Sequence, residues 1–152
     1  MAGSMVGMLA CSGGKSGSQE SNSASAVDQS AAPAEEATMT AELTQKMEAG
    51  QTVYNSYCIA CHQQDGSGVP GAFPPLKETE WVNGEKDTLI SIVLNGLQGP
   101  IEVNGEQYNN IMTPHDFLSD DEIASVLTYV RKSFGNNSSE VNTDEVAALR
   151  ED

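Results

Sequence analysis

Apolar residues recur with a helical period in three stretches of the 152-residue chain. In the first, starting near Thr40, Leu43, Met47, Val53, Tyr54 and Tyr57 fall on one face. Gly50 shares that broad face. Glycine inside a helix costs about 1 kcal/mol relative to alanine, so close approach of a second helix is the expected reason for it. The second stretch runs from about Asp87 to Asn95, with Leu89, Ile90, Val93 and Leu94 apolar and Gly96 as its stop. The third is the clearest. Ser119 and Glu122 form a capping box, and Leu118 with Ile123 supplies the hydrophobic staple around it. Ile123, Val126, Leu127, Val130 and Phe134 mark the buried stripe, which Gly135 ends. Between the last two stretches, IEVNGEQY alternates about Asn104-Gly105, a two-residue hairpin signal. The expected fold is all-α with one small β-hairpin.

Polarity divides the chain. Residues 12–39 are Ser, Gly, Ala, Gln, Asn and Glu with almost nothing to bury, and read as a disordered linker. Residues 40–135 form the folded domain. Residues 136–152 turn polar again, as a tail in which a short helix around Asp144 to Arg150 is expected. The whole chain carries 22 acidic against 7 basic residues, a formal charge of −15. The acidity extends through the domain, at −8 for residues 40–135. Such a surface disfavours nucleic acid and anionic membranes and suits basic protein partners, or serves solubility. No apolar run is long enough to span a bilayer.

The chemistry is concentrated in CIACH, residues 58–62. C-x-x-C-H is the signature of covalent haem attachment. Two thiols three positions apart reach the two vinyl groups of one porphyrin edge, and the next residue, His62, lies under the iron. A thioredoxin-type motif needs a strand before it; here a helix precedes and a Gly/Pro-rich loop follows. A zinc site needs about two further ligands, and only His115 and Cys11 remain. The sixth iron ligand is expected to be Met112, since every other methionine precedes the motif. Met112 lies on neither periodic stripe, in a loop stiffened by Pro114. His115 is the rival, and beside Asp116 it reads more simply as an exposed loop histidine.

Over about residues 40–135 the chain resembles a class I monohaem cytochrome c. The resemblance implies crossing N- and C-terminal helices around one covalent haem c. Gly50 and Tyr54 match the family's glycine and aromatic on the first helix, and Val126 and Tyr129 its apolar–aromatic pair on the last. FPPL, Phe73 to Leu76, matches the proline-containing loop whose carbonyl accepts the ligand histidine's second ring N–H. Pro74 takes that role, with Pro75 as the alternative. The bond orients the ring and raises its basicity. The hairpin and the stretch MTPHDFLSDDEIASVLTYVRKSF are similar to lipid-anchored bacterial cytochromes that donate to haem-copper oxidases, and to cytochrome domains of membrane-associated dehydrogenases. Most of that group has Met-Pro directly; here Thr113 intervenes. Trp81 and Tyr108 are placed to flank the haem edge, with core packing the simpler role for each.

VGMLAC, ending at Cys11, resembles the end of a bacterial lipoprotein signal, shortened and without a basic residue before it. Residues 1–11 are therefore read as a truncated signal segment, with a lipid expected on Cys11 and a stray cysteine as the alternative. The expectation is a monomeric, periplasmic or extracytoplasmic one-electron carrier rather than an enzyme. Its partners would be basic redox proteins such as an oxidase or a dehydrogenase complex. A cytochrome subunit serving a separate dehydrogenase chain, a peroxidase-like haem domain and a haem-based ligand sensor are the other readings.

Overall fold

The computed structural model describes residues 32–150, with side-chain environments from Thr40 onward. Cys11, the signal-like segment and the linker up to residue 31 lie outside the described residues. The fold is all-α with one antiparallel hairpin. Helix α1 (Ala32–Tyr57) is followed by one short turn, α2 (Ile59–His62). A second short helix, α3 (Glu80–Asn83), leads into α4 (Lys86–Asn95). Strands β1 (Ile101–Val103) and β2 (Glu106–Tyr108) form the hairpin, and α5 (Asp120–Lys132) and α6 (Thr143–Arg150) complete the chain.

Helix α1 starts at Ala32, inside the span expected to be linker. Its first described turns read APAEEA, and Ala and Glu are good helix formers. Low hydrophobicity signalled disorder there, and local propensity extends the helix instead. Further on, α1 packs on α5 in the largest helix–helix contact of the molecule. Gly50 is buried at the crossing. A Cβ there would lie 2.1 Å from the Ser125 carbonyl oxygen and 2.7 Å from Tyr129 Cβ. The close approach expected of Gly50 is thus a contact with the α5 backbone.

Helix α5 carries both halves of its capping box: Glu122 N–H donates to Ser119 Oγ, and Ser119 N–H donates to the Glu122 carboxylate. Leu118 and Ile123 are both buried beside it. The helix ends at Lys132, before Phe134. Phe134 adopts φ 58° instead of continuing the buried stripe. Its ring lies against Tyr54 and Tyr129, with centroids 5.3 and 5.6 Å away. The hairpin has the expected turn, Asn104 and Gly105 both at positive φ, with Ile101 opposite Tyr108.

The polar C-terminal segment is part of the packed body. Val141 and Val146 are fully buried in the main apolar cluster. Thr128 Oγ1, on α5, accepts from Val141 N–H at 3.0 Å. Arg131 donates to the carbonyls of Val82 at 2.6 Å, Gly84 at 3.0 Å and Ser139 at 2.8 Å, tying α3 and the C-terminal segment to α5. Ion pairs Lys86–Glu145 and Arg150–Asp120 hold α6 to α4 and α5. The charged composition of the segment hid the two apolar residues, Val141 and Val146, that join it to the core.

Candidate functional site

The CIACH motif lies where α1 gives way to α2. Cys58 N–H still donates to the Tyr54 carbonyl, and His62 N–H to the Cys58 carbonyl, so the motif is wound as helical turns. Both thiols are free. Burial, with a smaller contribution from neighbouring Cys61, pushes the Cys58 thiol up to about 11. Tyr54, buried against α5, donates its hydroxyl to the Gln63 carbonyl at 2.7 Å and fixes the exit from the motif.

The following loop folds back under His62. Gly68 N–H donates to the His62 carbonyl at 3.0 Å, and Val69 and Phe73 exchange hydrogen bonds as an antiparallel bridge. Gly68 sits at φ 64°, and a Cβ on it would meet the Pro74 carbonyl oxygen at 2.5 Å. That tight turn sets the Pro74 carbonyl 3.0 Å from His62 Nδ1, which donates to it. With Nδ1 carrying the proton, the neutral ring keeps its lone pair on Nε2. Burial holds His62 below the ordinary imidazole value; the Pro74 bond works against this and His115 adds to it. The folded chain therefore favours a neutral imidazole, the form that binds metals.

Met112 reaches the same place from the other side of the molecule. Its backbone pairs with Leu97 through two hydrogen bonds of 3.0 Å, just beyond the end of α4. Gly96, at φ 76°, permits this: a Cβ there would lie 2.5 Å from the Met112 carbonyl oxygen. His115 N–H donates to the Val93 carbonyl at 2.8 Å, holding the rest of the loop to α4.

Between these elements lies an apolar crevice open to the surface. Its walls are largely aliphatic, from Leu89, Ile92 and Val93 on α4 and Val126, Leu127 and Val130 on α5. Trp81 and Val103 close one side. A second lobe extends past Cys61, Phe73 and Tyr108. The two lobes share Cys58, His62, Pro74, Met112 and His115. Every candidate residue among those described is thus brought to one crevice. His115 departs from expectation: it is half-buried at the crevice, not an exposed loop residue. Its ring packs on Tyr57 and Phe117, and its Nδ1 is the buried side-chain polar atom left without a hydrogen-bond partner among the described residues. Tyr57 also departs from the buried stripe of α1 and stands exposed at the crevice mouth.

Gly68 and Gly96, which bring Pro74 and the Met112 loop into position, were not legible as site residues. Each was one glycine in a loop or at a helix end. Gly96 was readable as a helix stop, but the strand-like pairing beyond it depends on long-range contact.

The donor set fits a covalent haem. Two free thiols lie on consecutive turns, a histidine has one nitrogen committed and one available, and a thioether lies on the same apolar crevice. The sequence profile described as Cytochrome c matches residues 47–134. Cytochrome c-552 of Thermus thermophilus is 44% identical over 91 residues, 57% of this chain and 69% of that protein. The cytochrome c subunit of a quinone-type alcohol dehydrogenase from Gluconobacter oxydans is 32% identical over 105 residues, 67% of this chain but 22% of that protein. The Cbb3-type cytochrome c oxidase subunit CcoP of Azospirillum is 32% identical over 97 residues, 59% of this chain and 29% of that subunit. The chain belongs to the cytochrome c family, whose proteins hold a covalent haem c and carry electrons rather than catalyse a reaction.

Proposed function

We propose that this chain is a one-electron carrier between membrane or periplasmic redox proteins. Cys58 and Cys61 attach the haem, and His62 and Met112 are its axial ligands. The observation that carries this reading is the convergence of the two thiols, the Pro74-oriented His62 and the Met112 loop on one apolar crevice. A haem c bound there supplies a one-electron iron couple. The chain's part is to hold and tune it. Cys58 and Cys61 tether the group to the end of α1. Pro74 keeps His62 in one tautomer and one ring orientation. The Leu97 pairing holds a weak thioether in reach, and thioether ligation raises the potential relative to two nitrogen ligands. The aliphatic walls keep water from the metal and disfavour extra charge there.

The partners proposed are basic redox proteins. Similarity to an oxidase subunit supports a terminal oxidase as acceptor, and similarity to dehydrogenase cytochrome subunits supports a dehydrogenase as donor. The proposed location is periplasmic or extracytoplasmic, as a monomer, with a lipid on Cys11 as the membrane tether. The decisive experiment is maturation of the full chain in a host with cytochrome c assembly machinery. One haem should be added to the chain mass and survive acid–organic extraction; a bare chain mass would overturn the reading. In the same host the protein should fractionate with membranes, and Cys11→Ser should release it with its spectrum intact. An unchanged distribution would mean a freely diffusing carrier.

A further inference from the structure

The carrier reading assigns no role to His115. Yet its ring lines both lobes of the crevice that holds His62 and Met112. Its main chain is anchored to α4 through the Val93 carbonyl, and its ring is wedged by Tyr57 and Phe117, with centroids 6.5 and 5.7 Å away. Its Nδ1 is buried without a hydrogen-bond partner among the described residues, an arrangement that is costly unless something compensates it. A second imidazole held beside the crevice with an unsatisfied nitrogen has the chemistry of an iron ligand, since imidazole is the commonest protein ligand and suits iron.

We propose that His115 is a reserve axial ligand. While Met112 is bound, His115 stands beside it. When the thioether is lost or displaced, one ring nitrogen of His115 takes the vacated position. The exchange breaks an iron–sulfur bond and forms an iron–nitrogen bond. The imidazole enters neutral, so neither an electron nor a proton is transferred. Three positions separate the two residues, at most about 10 Å of extended chain. The exchange therefore asks for a shift of the loop and not for unfolding of a helix. With two nitrogen ligands the carrier would have a second state of lower potential.

This proposal rests on the carrier reading, and the test separates the two. The matured full-length protein is first weighed; a chain without haem overturns both. On the loaded Met112→Ala protein, absorption and low-temperature electron paramagnetic resonance of the oxidised form are recorded. The expected result is loss of the weak red charge-transfer band of sulfur ligation with retention of a low-spin, two-nitrogen signal. Met112→Ala combined with His115→Ala should turn high-spin and bind added imidazole at least tenfold more tightly than Met112→Ala alone. A high-spin Met112→Ala protein overturns the proposal, as does a low-spin signal that persists in the double variant or equal imidazole affinity in the two. Retention of the charge-transfer band in Met112→Ala removes Met112 as ligand, and the reserve role with it. Met112→Leu, which keeps the side-chain bulk, is read in the same way where the alanine variant does not fold.

Discussion

His62 and Gly50 show how single atoms decide this molecule. At His62 the deciding atom is the Pro74 oxygen, which accepts the Nδ1 proton at 3.0 Å and leaves Nε2 as the free donor atom. At Cys58 burial keeps the thiol protonated, with its titration moved up to about 11. At Gly50 the deciding atom is one that is absent. Gly50→Ala would gain about 1 kcal/mol of helix propensity. It would also set a methyl carbon 2.1 Å from the Ser125 carbonyl oxygen. Backbone cannot yield as a flexible side chain does, and overpacking of this kind costs about 1–3 kcal/mol and at times more. The steric cost is expected to win. Denaturant unfolding of the loaded protein should show a lower midpoint for Gly50→Ala, and a raised midpoint would mean the helices separate freely.

Elements differ in how openly the sequence announces them. Helix α5 is legible at its start and along its buried face because those signals are local: a capping box and a staple at its N-terminus and an apolar stripe after them. Its end was not, because Phe134 leaves the helix at positive φ. The hairpin is legible because Asn-Gly selects its own turn. The CIACH turn stands out because its spacing is itself the proposed chemistry. Helix α3 is different: Thr79 caps it by accepting from Val82 N–H at 3.1 Å, but four residues are too few for any periodicity to register. Helix α6 had a local signal, Asn142 followed three residues later by Glu145, whose carboxylate accepts from Asn142 N–H at 2.7 Å. What no local pattern conveys is that Val141 and Val146 dock on the core. The same holds at the site. Met112 was singled out by elimination and does line the crevice, whereas the burial of His115 depends on Tyr57 and Phe117, the former contributed by α1 from 58 residues earlier in the chain.

Over the whole molecule the charge is unevenly opposed. The formal charge is −15, and of the seven cations four are engaged within the described fold. Lys46 pairs with Glu140, Lys86 with Glu145 and Arg150 with Asp120, while Arg131 is buried on backbone carbonyls. The surface seen by a partner is therefore dominated by carboxylates. The crevice mouth has a second character. Tyr57 and Ile111 line the second lobe and, with Phe117 packed on Tyr57, stand 46, 64 and 63% exposed, an apolar rim beside the proposed haem site. These two features predict different kinetics. Charge acts over a Debye length of about 10 Å at 0.1 M salt and raises encounter rates about 10- to 1,000-fold in favourable cases. Apolar contact acts only at touch and is not screened by salt. With so large an imbalance of charge, steering should govern encounter and the rim should govern the bound pose. Electron transfer to a basic partner should then slow by about tenfold or more between low and high ionic strength, measured by stopped-flow under second-order conditions. Replacing Phe117 by Ala should leave that salt slope in place while lowering the rate at every ionic strength. A rate that is flat with salt, yet falls in the Phe117→Ala variant, would assign recognition to the rim and leave the acidity to solubility.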